Sequence, residues 1–319
     1  MGENRSHLNI ILILAFLTCF RSFAFAEDKP QYSKYDSLVR NLEQTFEPSY
    51  ITLGGGYNRS GSFHGNDLWY EAQMYVHYNW LDNCKEKNRC DRDNVFRLYA
   101  PIRLQVRQFR TDSSPVVTPS YNPGARLYYW HTSWVSPDSY FQFVSLGLHH
   151  YSNGQSGPPR NPDGQINTKD GSFSTDYVEG AYYYEKLDKE SDVDYSAKFN
   201  VRKYLTGWTW EPAQTDYYET WLTQASGKKK LTHYGITAQL TVGYKYGRKY
   251  VAPGNNASFK DNMQYTAELS VPVKCPRVRL FYWNDMRAYL RWDKGYDYYN
   301  INYQNKMNRI QFGIVASTF

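Results

Sequence analysis

Residues 236–246 read ITAQLTVGYKY, and their side chains alternate between two chemical characters. One set of alternate positions is apolar or aromatic and comprises Ile236, Ala238, Leu240, Val242, Tyr244 and Tyr246. The other set is small or polar and comprises Thr237, Gln239, Thr241, Gly243 and Lys245. Successive side chains of a β-strand point to opposite faces of its sheet. The stretch therefore predicts a strand with one face toward lipid and the other toward a polar interior.

Similar strand-like stretches recur along the whole chain. There are twelve of them, at residues 50–57, 68–80, 95–109, 124–134, 140–151, 175–187, 194–205, 216–225, 232–246, 263–273, 278–292 and 309–319. Each is about the length that a tilted strand needs to cross a bilayer. We therefore predict an all-β fold, a transmembrane antiparallel β-barrel of about twelve strands, in the bacterial outer membrane. The alternative is a secreted soluble β-sandwich or barrel, whose inward face would be apolar.

Composition supports the membrane barrel. The mean hydropathy is −0.73, and no apolar stretch after residue 26 approaches the length of a membrane-spanning helix. Aromatic residues make up 18% of the chain, with 32 Tyr and 9 Trp, and such side chains suit a surface that meets both lipid and water. The last predicted strand alternates as well and ends at Phe319, which resembles the C-terminal signal of outer-membrane barrels.

The N-terminus indicates export. Arg5 precedes an eleven-residue apolar run at 10–20 and the sequence Ala24-Phe25-Ala26, which together form the pattern of a secretory signal peptide. We predict a signal peptide at residues 1–26 and an N-terminal periplasmic segment at 27–48, which carries a short helix or is disordered. The barrel is then expected at 49–319, with an extracellular loop at 153–173.

Cysteines and charges add little to this prediction. Cys84 and Cys90 flank a short polar loop where a disulfide is reasonable in an oxidising compartment, whereas Cys275 has no evident partner. The net charge of +6 becomes +5 without the two arginines and one glutamate of the signal. Basic residues such as Lys228–Lys230 are expected in loops, with membrane-lipid phosphates as the nearest anions. No nucleotide or zinc motif occurs, so no nucleic-acid partner is expected.

Residues 149–156 read HHYSNGQS and carry the candidate chemistry. His150 shares its strand face with the apolar side chains that precede it, and Ser152 follows on the same face. Side chains two residues apart on a strand are separated by about 6.5–7 Å, so the imidazole can accept the serine proton, as in serine hydrolases. Asp176 is expected on the same face of the next strand as the third group. The alternative for His150 is an interface histidine bonded to Tyr151 or to a loop carbonyl, and His149 faces the lumen or the rim.

The run His150-Tyr151-Ser152-Asn153-Gly154 resembles the His-x-Ser-Asn-Gly motif of the outer-membrane phospholipase A family. Ser113-Ser114-Pro115, followed by Tyr121 and Pro123, resembles the upstream turn and strand of that family. The resemblance implies a calcium-dependent serine hydrolase that deacylates phospholipids and lysophospholipids on the outer wall of its barrel.

The resemblance also implies a role for each residue of the site. His150 would be the base, Ser152 the nucleophile, and the Gly154 amide a donor to the oxyanion. Calcium would bind the Ser172 side chain, the Gln155 carbonyl and, from the other subunit, the Ser113 carbonyl. The active form would thus be a homodimer surrounded by outer-membrane lipids.

This sequence departs from the family pattern in two places. Asp176 stands where the family has asparagine in a Ser-x-Ser-Trp-Asn-Arg run, and a carboxylate can also orient and stabilise an imidazolium. The loop at 157–171 is longer than the family connection, so Asp163, Asn167 or Asp170 remain alternatives for the third group or a metal ligand. Two other functions also remain open: a non-enzymatic channel or adhesin barrel, and a different lipid-processing barrel such as a lipid A deacylase.

Overall fold

The computed structural model describes residues 39, 42, 46–54, 68–82, 94–109, 116–136, 140–164, 167, 169–188, 193–205, 221–231, 234–246, 262–273, 286–299 and 306–316. Within these residues one antiparallel sheet contains β1 (Ser49–Leu53), β2 (Leu68–Asp82), β3 (Asn94–Phe109), β4 (Val116–His131), β5 (Val135–Ser136), β6 (Tyr140–Ser152), β7 (Ser174–Asp188), β8 (Val193–Tyr204), β9 (Trp221–Leu231), β10 (Ile236–Tyr246), β11 (Met263–Pro272), β12 (Met286–Tyr296) and β13 (Lys306–Ala316). A 3-10 turn at Thr132–Trp134 links β4 to the two-residue strand β5.

The sheet closes on itself. Strands that follow each other in the wall are hydrogen-bonded neighbours, β1 pairs with β13, and β4 pairs with β6 past the short β5. The result is a barrel of twelve wall strands, which confirms the predicted fold. All twelve predicted stretches overlap a wall strand.

The prediction that Lys228–Lys230 lie in a loop is wrong. They lie in β9, where Lys229 pairs with Tyr195 on β8 and with Ala238 on β10. The backbone groups of these lysines are bonded on both sides, and the Lys229 ammonium lies 5.6 Å from the centre of the Tyr195 ring. Charged residues are more typical of loops, but strand pairing on both sides and a cation–π contact stabilise these lysines in the barrel wall.

The two faces of the wall differ as the alternation predicts. Leu240, Ile310 and Phe312 are outward, with exposed fractions of 52%, 57% and 58%. Thr237 and Gln311, on the opposite parity, are buried in the interior. The apolar face is therefore the outer one, which excludes the soluble-barrel alternative. An apolar outer belt on a closed barrel is the architecture of outer-membrane proteins, and it supports the predicted location. In the described part of the chain no helix is long and apolar enough to cross a membrane.

Ion pairs between inward-facing side chains line the lumen. Glu71 and Arg107 are in contact, and the same guanidinium lies 2.7 Å from Asp297. Glu179 on β7 points into the lumen, where it contacts Arg126 at 2.8 Å and Arg202 at 2.6 Å. Charges out of water require close partners, and these carboxylates have them. These ion pairs join different strands and so support the wall from inside.

Residues that precede β1 also lie inside the barrel. Val39, Leu42 and Phe46 have helical backbone and are buried against a lumenal cluster that contains Val95, Tyr99, Tyr128, Trp130, Phe141, Phe143, Ala181 and Tyr183. Glu47 lies 2.8 Å from Arg103 and 3.0 Å from Lys198. Burial would raise the pKa of Glu47, but these two cations lower it to about 2. The chain is thereby anchored in the lumen before its first strand.

Several predictions concern residues outside the described ranges. These are the signal peptide at 1–26, the bond between Cys84 and Cys90, the partner of Cys275, and the terminal Phe319. The assignment of 27–48 as a periplasmic segment also stays a prediction, although its described residues 39, 42, 46 and 47 lie inside the barrel.

Candidate active site

The outward face of β6 carries His150 and Ser152 at the end of the strand. Burial alternates along β6, so that Val144, Leu146 and Leu148 are outward while the residues between them are buried. The His150 side chain is 45% exposed on that same outward face. His149 points into the lumen, where its ring stacks on Tyr177 with 4.9 Å between centres. The two adjacent histidines therefore lie on opposite sides of the wall.

Asp176 lies directly opposite His150 on β7. Its Oδ1 is 2.9 Å from His150 Nδ1, and its side chain is only 14% exposed. Hydrogen-bonded and non-hydrogen-bonded pairs alternate in an antiparallel ladder. Asn153 N donates to Phe173 O, so Asn153 and Phe173 form a hydrogen-bonded pair. The His150–Asp176 pair is accordingly a non-hydrogen-bonded one, in which side chains come closest. A carboxylate at Nδ1 keeps a proton there and leaves Nε2 as a proton acceptor.

Ser152 lies at the rim between two neighbours. It pairs with Ser174 on β7 and with Tyr121 on β4, and it is half-buried. Among the described residues no hydrogen bond joins the Ser152 hydroxyl to His150. The two share one face at the spacing of alternate strand residues, about 6.5–7 Å between Cα atoms. Such contacts in hydrolases often tighten only when substrate binds.

Asn153 fixes the turn that follows Ser152. Its side chain is 1% exposed, and its Oδ1 accepts hydrogen bonds from the backbone N–H groups of Gln155 (3.2 Å) and Phe173 (2.9 Å). Its Nδ2 donates to the Gly171 carbonyl at 2.8 Å. Asn153 has no role of its own in the predicted site, although an asparagine at a strand end is a common turn signal.

Gly154 adopts the left-handed backbone conformation that the turn requires, with φ of +66°. A Cβ atom there would lie 3.3 Å from the Tyr121 ring, closer than most such contacts. Glycine therefore suits this position both for its backbone angle and for the approach of Tyr121. The exposed Gly154 backbone lies two residues beyond Ser152, where an N–H donor to a reacting ester would be useful.

The inserted loop has its own hydrogen bonds. Gly157 N donates to Asp170 O at 3.1 Å, and Ser172 N donates to Gly157 O at 2.9 Å. Asn167 is buried and donates to the Asp170 carboxylate at 2.6 Å. These bonds engage Asn167 and Asp170 within the loop, and Asp163 is exposed. Of the four candidates for the third group, the structure brings Asp176 into contact with His150.

Two of the three calcium ligands that the family resemblance implies, Gln155 and Ser172, lie at the base of this loop. Asn153 bonds to Gln155 on one side and to the residues that flank Ser172, Gly171 and Phe173, on the other. Ser172 is buried, and its hydroxyl and the Gln155 carbonyl are oxygen donors of the kind that Ca²⁺ prefers, so the chemistry of these two donors suits calcium. Ser113 lies outside the described residues. The described chain holds no cluster of three His, Cys, Asp or Glu side chains suited to a metal.

Comparison with known proteins identifies the fold. No protein-family model matches the sequence, and no curated protein matches it. Outer membrane phospholipase A from Escherichia coli is similar in structure, with 16% identity and a TM-score of 0.53 over 84% of this chain and 89% of that one. The chain has the fold of outer-membrane phospholipase A. An active-site mutant of that protein gives 15% identity and a TM-score of 0.55 over 84% and 89% of the two chains.

A third similar structure is the calcium-bound dimer of outer membrane phospholipase from Salmonella typhi. It gives 15% identity and a TM-score of 0.53 over 84% of this chain and 90% of that one. At such identities the likeness to outer-membrane phospholipase A concerns the barrel. The evidence for a catalytic site therefore comes from the side chains at the C-terminal end of β6 and the N-terminal end of β7.

Proposed function

We propose that this chain is a calcium-dependent serine hydrolase of the outer membrane that deacylates phospholipids and lysophospholipids, a phospholipase A1/A2. The observation that carries the proposal is the 2.9 Å contact between His150 Nδ1 and Asp176 Oδ1 on the outward face, beside Ser152. A histidine–carboxylate pair has little structural use on a wall that faces lipid. A phospholipid ester can reach that face without leaving the membrane.

The proposed reaction uses three side chains in turn. His150 Nε2 takes the proton of Ser152 as its oxygen attacks the ester carbonyl carbon, and Asp176 stabilises the imidazolium that results. His150 then returns the proton to the departing lysophospholipid oxygen, which leaves an acyl ester on Ser152. A water deprotonated by His150 attacks that ester, and His150 returns the proton to the Ser152 oxygen as the fatty acid leaves.

The turn after Ser152 would stabilise the negative charge of the reaction. The Gly154 N–H is proposed to donate to the ester oxygen as it becomes an oxyanion. The Gln155 carbonyl and the Ser172 hydroxyl would hold calcium, together with the carbonyl of Ser113 of the partner subunit in a homodimer. When bound, calcium would supply positive charge close to the developing oxyanion.

Calcium removal tests this proposal. We expect the refolded protein to release fatty acid from phosphatidylethanolamine in detergent micelles when Ca²⁺ is present. A chelator should lower the rate by about a hundredfold or more, because the cation is expected to contribute several kcal/mol to the transition state. Readdition of Ca²⁺ should restore the rate and Mg²⁺ should not, because Mg²⁺ requires a smaller octahedral site.

Two results would count against it. An equal rate with and without chelator would remove calcium from the mechanism. Release of acyl chains from lipid A but not from phosphatidylethanolamine would favour the lipid A deacylase alternative instead.

A further inference from the structure

The backbone carbonyl of His150 points toward β4. Asn153 N bonds to Phe173 O, so the odd-numbered residues at this end of β6 direct their backbone groups toward β7. Backbone groups of successive strand residues alternate between the two neighbouring strands. Those of His150 consequently face β4, on the side of the strand away from Asp176.

The residue opposite His150 on β4 cannot donate to that carbonyl. The register pairs Tyr121 with Ser152 and Gly124 with His149, which places Pro123 across from His150. Proline has no backbone N–H, so the ladder lacks one donor at this point. The pairing of β4 with β6 is interrupted between those two pairs.

Asn122 supplies the missing donor with its side chain. Its Nδ2 donates to the His150 carbonyl at 2.9 Å from the lumenal side, where Asn122 is 5% exposed. Its Oδ1 accepts a hydrogen bond from the Tyr177 hydroxyl at 2.8 Å. Tyr177 is held between the stacked His149 ring and the Arg202 guanidinium, 4.2 Å from its centre. The Asn122 amide is therefore fixed at both ends.

We infer that Asn122 is a positioning residue for the proposed reaction: it fixes the backbone of His150 in place of the donor that Pro123 lacks. This inference rests on the proposed function. The imidazole extends outward from a backbone unit whose carbonyl is bonded from the lumen, so loss of that bond loosens the base relative to Ser152 and Asp176. Small displacements of a catalytic group are costly in rate. Asn122 lies on the lumenal face and cannot touch a lipid substrate outside the barrel.

A kinetic comparison of three variants tests this inference on phosphatidylethanolamine hydrolysis. Asn122→Ala is expected to lower kcat about tenfold, the equivalent of one hydrogen bond, with KM within about twofold of wild type. Adding Pro123→Ala to that variant restores a backbone N–H opposite the His150 carbonyl and should recover most of kcat. Asn200→Ala removes another buried lumenal asparagine, which bonds to Glu179 and Gln224 at 3.3 Å each, and should change kcat less than twofold.

The possible results distinguish a failure of the proposed hydrolase function from a failure of the positioning role of Asn122. A wild-type protein that releases no fatty acid contradicts the proposed function. An active wild type with an unchanged kcat in Asn122→Ala, or with no recovery on adding Pro123→Ala, overturns the positioning role. If Asn122→Ala does not refold, Asn122→Asp replaces it, since aspartate keeps the size and the acceptor for Tyr177 but loses the donor. The same tenfold loss is expected there, and a wild-type kcat overturns the inference.

Discussion

Replacing Ser152 with alanine is expected to lower kcat for phospholipid deacylation by about 10⁴-fold or more, because the variant has no nucleophile to carry the acyl group. Ser152 is a half-buried rim residue with no side-chain hydrogen bond among the described residues, so its loss should not disturb the barrel. The measurement is calcium-dependent fatty-acid release by equal amounts of refolded wild type and variant.

A matched serine serves as the control. Ser174 lies directly opposite Ser152 on β7, faces outward and is similarly half-buried. Ser174→Ala should keep a rate within a few-fold of wild type. Both variants should still show the heat-dependent gel mobility of a folded barrel. Fatty-acid release by Ser152→Ala at a rate near wild type would end the hydrolase assignment for this site.

The second large effect is expected at Asp176. Asp176→Ala removes the group 2.9 Å from His150 Nδ1, so the imidazole loses both its orientation and the charge that stabilises its protonated form. We expect kcat to fall about a thousandfold or more. Asp176→Asn should retain a measurable part of the activity, because the amide oxygen can still accept the Nδ1 proton. The family that the sequence resembles has asparagine at this place.

The order of the two Asp176 variants is the informative result. We expect Asp176→Ala to be slower than Asp176→Asn, and both variants to be slower than wild type. A rate for Asp176→Ala close to wild type would mean that another group orients His150, with Asp163 and Asp170 of the inserted loop the next to substitute. Those carboxylates are exposed, and Asp170 already accepts a hydrogen bond from Asn167.

Alternation along the strands was sufficient to predict the barrel. Alternate residues of a strand face alternate sides of the sheet. The stretch 236–246 shows this alternation by itself, without information about the strands that pair with it. The same rule placed His150 and Ser152 outward and His149 inward. It also put Asp176 on the face of His150, although the facing register of β6 and β7 was needed to show their contact.

Other features depend on contacts with residues distant in sequence, which the alternation along one strand does not reveal. The lysines at 228–230 belong to β9 because two neighbouring strands pair with them. The lumenal ion pairs join residues that are far apart in sequence, such as Arg107 and Asp297. Asn122 acquires its role only because the register sets Pro123 opposite His150. Asn153 is a mixed case: its bond to Gln155 is local, whereas its bonds to Gly171 and Phe173 depend on the loop that returns to β7.

Covalent labelling shows whether Ser152 is an activated nucleophile. The refolded wild-type barrel would be incubated with a long-chain alkyl fluorophosphonate, a reagent that phosphonylates activated serines, and the modified residue mapped by mass spectrometry. We expect a single adduct on Ser152, formed more slowly in Asp176→Ala and suppressed by excess phospholipid. An unmodified Ser152 after full exposure, or an adduct confined to another serine, would contradict the proposed function.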